Sequence, residues 1–417
     1  MRPVYLAGGA HTPYIGKHHP DFVWKGHSDF GKRDNPDTEA YIRQVVPAAL
    51  GAVDADGTVV DKAFIGNFAG GLFDNQAHLG PFLAAADRGL RGKPAARMEG
   101  ACASGGLAMA AGIDAIRAGA DVVLVVGAEV QTTRNAKEGA DFLARASHYK
   151  RQRGLDPFTF PALLARRVKH AVAGGEVTMD DLARVSVKAY GNANRNPNAH
   201  MRAVEMSFER AATASADNPV FLSNPELRPW LRVSDCSQVS DGASALVLAS
   251  ARGLEKLGRE PVDAMEILAC AVACAPIDED SSGVDLDNVR TAVLRAYAEA
   301  GIGPRDLDVA EVHDCFTIAE VLMYEALGLA EKGRGATLIR EGETHIEGRI
   351  PVNTGGGLVG FGHPVGATGV KQALEIFRQA KGLCGDYQMK TPPRVGVSAN
   401  MGGDDRTAVV TVYRQPE

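Results

Sequence analysis

The chain has 417 residues, with 45 Lys plus Arg against 51 Asp plus Glu and a formal net charge of −6. At roughly 150 residues per domain this length predicts two to three domains, and the slightly acidic balance excludes nucleic acid as the expected partner, because phosphate binding leaves a basic footprint. Hydrophobic residues at 45% and charged residues at 23% suit a packed globular protein, and 47 glycines exceed the usual share of about 7%, so tight turns are expected while disordered and fibrous classes drop out.

The N-terminal stretch through Gly9 reads as a first strand and turn, with no leader pattern. Leu107 to Ala118 carries Leu107, Met109, Ile113 and Ile116 near helical spacing, and Gly119 stops it before a strand at Val122–Val126. That strand is also the longest strongly apolar run and falls far short of the roughly 18 residues that a membrane span needs, so no membrane role is expected. From Gln131 to Leu231 the chain turns richer in Arg, Asn and Pro, with helices predicted at Ala162–Ala171 and Asp180–Ala189. This stretch reads as an insertion, after which Ser240–Ser244 turns into a strand at Ala245–Ala249. A strand at Val309–Val312, helices at Ile318–Leu327 and Gly366–Ala380, and strands at Val395–Val397 and Ala408–Tyr413 follow. The alternation is that of an α/β protein. It divides into an N-terminal domain of residues 1–130 and 232–251, an insertion of 131–231 and a C-terminal domain of 252–417. A duplication of two α/β halves is compatible with this order but is not visible residue by residue. The C-terminus carries no targeting tail, so the cytoplasm is the expected location.

Six cysteines, at 102, 236, 270, 274, 315 and 384, are too sparse for a disulfide framework and are expected as reduced thiols. Three constellations draw attention. Cys102, among Glu99-Gly100-Ala101 and Ala103-Ser104-Gly105-Gly106, precedes a predicted helix, whose N-terminal dipole would favour a nucleophilic thiolate of lowered pKa; a buried, space-filling thiol is the alternative. His363 lies in Asn353–Gly369 among seven glycines and Pro364, a setting that suits a general base or oxyanion donor as well as a plain loop histidine. Gly355-x-Gly357-x-x-Gly360 inside it imitates a dinucleotide fingerprint, but Gly362-His363-Pro364 interrupts the path to the helix and no acidic residue ends a following strand. His313-Asp314-Cys315-Phe316 follows the Val309–Val312 strand, where α/β sheets present functional groups. Neither Cys270-x-x-x-Cys274 nor His18-His19 completes a four-ligand zinc set, so metal is set aside.

Together these segments resemble the thiolase family over essentially the whole chain. Cys102-Ala103-Ser104 matches its C-x-S nucleophile motif and Gly362-His363-Pro364, within a match running on to Gly369, its G-H-P motif. His313-Asp314-Cys315-Phe316 resembles the H-D-C-F motif of the sterol-carrier-protein-2 and archaeal types, as do Asn192–Met201 and Asp235–Ser244. Where other thiolases carry a second cysteine in a C-terminal C-x-G motif, this chain reads Ser398-Ala399-Asn400-Met401-Gly402-Gly403, and either Ala399 or Asn400 takes that place.

The resemblance implies a thiolase-like fold, with two similar α/β halves in an αβαβα arrangement and an inserted loop domain. It implies an acetyl-CoA C-acetyltransferase or 3-ketoacyl-CoA thiolase, acting on coenzyme A thioesters without a bound cofactor. Cys102 would be the nucleophile, His363 the acceptor of its proton, Cys315 the base for the α-carbon, and His363 with His313 the enolate site. The N–H groups of Cys102 and Gly402 would hold the acyl oxygen, and Ser237 would contact pantetheine. Lys150, Arg151, Arg153, Arg166, Arg167 and Lys169 lie in the insertion that contacts coenzyme A in the family. A homodimer or homotetramer, and a small acyl-CoA-binding partner protein, are the expected associates. Two other readings are a condensing acyltransferase with a non-CoA acceptor and a non-catalytic acyl-CoA-binding scaffold.

Overall fold

Runs of Val, Leu and Ala build nine strands in the computed structural model, which describes residues 2–279 and 283–417. They are β1 (Tyr5–His11), β2 (Lys62–Gly66), β3 (Ala95–Met98), β4 (Val122–Glu129), β5 (Gly242–Ala249), β6 (Met265–Cys274), β7 (Val309–Val312), β8 (Val395–Gly402) and β9 (Thr407–Arg414). They join in one sheet of order β3-β2-β4-β5-β1-β6-β9-β8-β7. The duplication that the residues conceal is plain in this order. Outward from the centre, β1–β5 and β5–β4 are antiparallel and β4–β2 parallel. On the other side β6–β9 and β9–β8 are antiparallel and β8–β7 parallel. Even β3, parallel to β2, has a counterpart in the parallel bridge of Val352 to Ala310 of β7. The halves meet where Tyr5 and Leu6 pair with Glu266 and Met265.

Both sheet faces are apolar, so strand side chains feed two cores at once. Val122, Leu124 and Val126 of β4 pack with Ile42, Val45 and Val46 of the Thr38–Gly51 helix. Val123 and Val125 pack instead with Met109 and Ile113 of the Ser104–Arg117 helix and Val370 and Leu374 of the Thr368–Ala380 helix. Beyond the other sheet half, Val289 and Val293 of the Asp287–Ala300 helix pack with β9 residues Ala408 and Val410. The result is five layers, helices alternating with sheet halves, as the expected fold requires. Residues 131–231 add no strand to the sheet; their helices Thr159–Ala173 and Met179–Ala193 bury Leu163, Val168 and Leu182 against Ile318 and Leu322. Among the described residues no helix is long and apolar enough to cross a membrane.

The elements differ from expectation where apolar periodicity is silent. The first central helix starts at Ser104, not Leu107, because its opening turn is made of small residues that carry no hydrophobic signal. β8 runs on through Gly402, although Ser398–Gly402 lacks β-branched residues, because it pairs with β9 along its full length.

Candidate active site

The two central helices bring their N-termini together, and glycine makes this approach feasible. A Cβ on Gly105 would lie 2.6 Å from the carbonyl oxygen of Gly366, and one on Gly106 would lie 2.7 Å from Oδ1 of Asn400. Ahead of the first helix, Ala101 is held at φ +53°, a left-handed conformation that alanine rarely adopts. The turn is locked by Ser104, whose Oγ accepts from Gly100 N at 3.0 Å and donates to Ala101 O at 2.6 Å. Cys102 sits on this elbow, buried.

Ahead of the second helix stands His363. Its Nδ1 is 2.6 Å from Thr368 Oγ1, and that hydroxyl donates to Pro364 O at 3.2 Å. A hydroxyl has one proton, so Thr368 accepts from Nδ1–H and leaves Nε2 of His363 as an acceptor. His313, at the end of β7, shows the opposite arrangement. The Asn400 amide nitrogen lies 3.1 Å from His313 Nδ1 and 3.1 Å from Cys102 O, while Asn400 Oδ1 accepts from Gly106 N at 3.2 Å. An amide N–H on Nδ1 makes that nitrogen an acceptor and puts the ring proton on Nε2. The two rings meet edge to face with centroids 5.1 Å apart, and donor atoms of Cys102, His313 and His363 lie within 4.8 Å of one another. One neutral histidine can therefore accept a proton beside the sulfur while the other donates. The same three atoms could meet a soft cation; because they come from three distant segments, no sequence spacing announces them.

Burial governs the charges. It pushes the Cys102 thiol up to about 12, against the pull of the N–H groups of Gly403 and Cys102 itself. The expectation of a lowered pKa is thus reversed, since desolvation outweighs the helix terminus. Burial, aided by Lys371, lowers His363 to about 3, and burial with His363 and Lys371 beside it holds His313 well below the usual range. Burial, with the neighbouring Cys102 sulfur, raises Cys315 well above the ordinary thiol value. Thiols and imidazoles alike rest neutral near pH 7.

Two buried acidic residues brace this arrangement, and neither was given a role from the sequence, where Asp314 stood only as part of the His313–Phe316 motif. Asp314 accepts from Leu358 N at 2.7 Å, which pins the glycine loop to the end of β7. Glu129 accepts from Phe68 N, Ala69 N and Gly366 N at 2.8 to 3.0 Å and so ties the end of β4 to the start of the second helix.

A cavity of about 370 Å³ opens on this centre, and Cys102, Cys315, His363 and Ser237 all line it. Ser237 N donates to Cys315 O at 2.9 Å. Of the pair left open for the missing cysteine, Asn400 faces the centre, whereas Ala399 belongs to the outer core. The backbone N–H beside the Cys102 sulfur is that of Gly403, one residue beyond the expected Gly402. Gly402 itself packs on the elbow, where a Cβ would lie 2.9 Å from Ala103 N. The six basic residues of the insertion do not line the cavity. Arg167 is buried, pairing with Asp404 at 2.7 Å and donating to Gly283 O and Asp285 O. Arg151 and Lys169 pair with Asp278 and Glu226, and Arg153 stacks over Tyr149.

A family model of the thiolase N-terminal domain matches residues 29–207, and one described as thiolase C-terminal domain-like matches residues 273–415. An acetyl-CoA acetyltransferase of Methanothermobacter thermautotrophicus is 35% identical over 373 residues, covering 88% of this chain and 93% of that protein. The benzoylsuccinyl-CoA thiolase subunit BbsB of Thauera aromatica is 31% identical over 410 residues, 97% of this chain and 96% of that protein. Among solved structures, the Ltp2-ChsH2(DUF35) aldolase matches with a TM-score of 0.77 at 20% identity over 100% of this chain and 98% of that one. The Acat5 thiolase from Ascaris suum in complex with coenzyme A matches at 0.71 and 15% over 100% of both. The family models and the acetyl-CoA acetyltransferase relatives define an acyl-transferring enzyme. The chain belongs to the thiolase family.

Proposed function

We propose that this acyltransferase joins or cleaves coenzyme A thioesters through an acyl group carried on Cys102, as an acetyl-CoA C-acetyltransferase or 3-ketoacyl-CoA thiolase. The observation that carries the reading is that the Cys102 sulfur and a ring nitrogen of each of His363 and His313 lie within 4.8 Å of one another beside a cavity that Cys102, His363 and Cys315 line. In cleavage, His363 takes the thiol proton as the Cys102 sulfur bonds to C3 of a 3-ketoacyl-CoA. The C2–C3 bond then breaks, its electron pair becomes the enolate of acetyl-CoA, and Cys315 supplies the proton to C2. Coenzyme A thiol next attacks the acyl-enzyme, giving its proton to the Cys315 thiolate, while His363 returns its proton to the departing Cys102 sulfur and the shortened acyl-CoA leaves. The Nε2–H of His313 meets the enolate oxygen, and the N–H groups of Cys102 and Gly403 meet the acyl oxygen. Condensation is the reverse.

Ser237 is assigned to pantetheine, and the division into residues 1–130 with 232–251, 131–231 and 252–417 is our domain reading. Location in the cytoplasm and at least a homodimer belong to the same proposal. The subunit name of the Thauera relative and the DUF35 partner in the aldolase's title favour a second reading of assembly, in which a small DUF35-type protein joins the complex. Intact-mass analysis after incubation with acyl-CoA tests the chemistry. An acyl adduct is expected on the wild type and on Cys315→Ala but not on Cys102→Ala; no adduct on any of the three, with coenzyme A still bound, would overturn it.

A further inference from the structure

A second cavity, of about 720 Å³, shares no lining residue with the catalytic one. Arg195, Arg202, Arg378 and Asp386 are among the residues that line it. Arg378 is in the last turn of the Thr368–Ala380 helix, about 15 Å along it from Thr368 at the usual helical rise, so this cavity is a separate place in the fold.

The segment Asn192–Met201 helps to frame the cavity. Its asparagines are engaged by backbone: Asn192 Nδ2 donates to Asn353 O at 3.1 Å, Asn194 Nδ2 to Val204 O at 2.9 Å and Asn196 Nδ2 to Gly355 O at 3.0 Å. These bonds fix the backbone that carries Arg195 and Arg202. The guanidinium groups are far less satisfied. Arg202 Nε is buried with no hydrogen-bond partner, and Arg195 reaches only Gly191 O and Asn192 Oδ1, at 3.4 and 3.3 Å. Arg378 donates from Nη2 to Leu383 O at 2.7 Å, while its buried Nε has Glu375 Oε1 at 3.8 Å. That carboxylate is already held by His11 Nε2 at 3.0 Å and Tyr387 OH at 3.2 Å. Three arginines thus stand against one acid, Asp386, in the lining, and a buried N–H without an acceptor favours one brought from outside.

We propose that this cavity binds a small diphosphate-bearing anion. Each guanidinium offers a planar fork of donors, and three forks from separate segments call for more acceptor oxygens than one carboxylate carries. Two linked phosphoryl groups supply them, together with the negative charge that the arginine excess favours.

The test is equilibrium dialysis of radiolabelled pyrophosphate against the full chain at fixed ionic strength, which holds screening constant. Unlabelled pyrophosphate is expected to displace the label at a concentration at least about tenfold lower than inorganic phosphate or citrate requires, the scale of one further charge-assisted hydrogen bond. Saturating coenzyme A should leave the label bound. Arg202→Gln and Arg378→Gln should each weaken binding about tenfold. Arg202→Gln removes no protein hydrogen bond, so in chloride buffer it should melt with the wild type. No saturable binding of pyrophosphate to the wild type overturns the proposal, and citrate competing as well as pyrophosphate overturns the phosphate chemistry. Displacement by coenzyme A, or full affinity retained in either variant, places the anion elsewhere and overturns the site.

Discussion

The two halves of the sheet share a strand order but offer different groups at matching places. The sixth residue of β4 is Gly127 and the sixth of β8 is Asn400. A Cβ on Gly127 would overlap the carbonyl of Gly366, so glycine lets β4 touch the backbone at the start of the His363-side helix. Asn400 fills the corresponding space with an amide that bonds Gly106 N, Cys102 O and His313 Nδ1. Each strand thus supports the helix of the opposite half. One support is bare backbone contact and the other is a polar side chain that also sets a tautomer, which shows how a repeated scaffold becomes chemically asymmetric.

Removing what the C-terminal half delivers to the nucleophile should break this asymmetry most severely. His363→Ala is expected to slow acylation of Cys102 by about 10³-fold, within the usual worth of a positioned general base, as followed by quenched intact mass. Acylation at the wild-type rate would mean that the sulfur loses its proton elsewhere.

Asn400→Asp probes the support itself. A carboxylate can still accept from Gly106 N but can no longer donate to His313 Nδ1, so the ring must move its proton to Nδ1 and lose its Nε2–H. Condensation or C–C cleavage should fall by about 10²-fold, the scale of one lost oxyanion donor, while acylation by a simple acyl-CoA stays within about fivefold. Equal losses in both half-reactions would reduce Asn400 to a brace for the nucleophile helix.

These residues also mark how far the sequence could be read. Cys102, His363, His313 and Cys315 stood out because reactive side chains sat among glycines or straight after a β-branched strand, and the cavity gathers the two thiols and His363. The strand order was legible only as alternation, since pairing partners such as β1 with β5 lie more than 230 residues apart. Asn400 was narrowed to a pair with Ala399, and strand alternation in β8 separates them by turning one inward and the other to the outer core. The role of Asp314 was hidden because its partners are backbone N–H groups of a distant loop. The direction of the Cys102 shift was misjudged because a helix N-terminus is visible in a sequence and the depth of desolvation is not.

That depth gives the comparison a pH signature. With the thiol at about 12, the thiolate fraction below that value falls about tenfold for each unit of decrease in pH. Alkylation of Cys102 by iodoacetamide should therefore climb about tenfold per unit from pH 7 to 10 without a plateau. His363, at about 3, stays an unprotonated base from pH 5 upward, so acylation by acyl-CoA should not show a histidine step near pH 6.5. A plateau in alkylation near neutrality would indicate a thiolate already formed at rest, and His363 would then have no proton to take. Thr368→Val gives the smallest effect and separates orientation from acidity. It deletes the acceptor of the His363 Nδ1 proton, a hydrogen bond worth about 1 kcal/mol, and should slow acylation about fivefold. The alkylation profile should not move, because burial rather than the imidazole sets the thiol's pKa. A shifted profile in Thr368→Val would instead place His363 among the groups that determine the charge of the sulfur before substrate arrives.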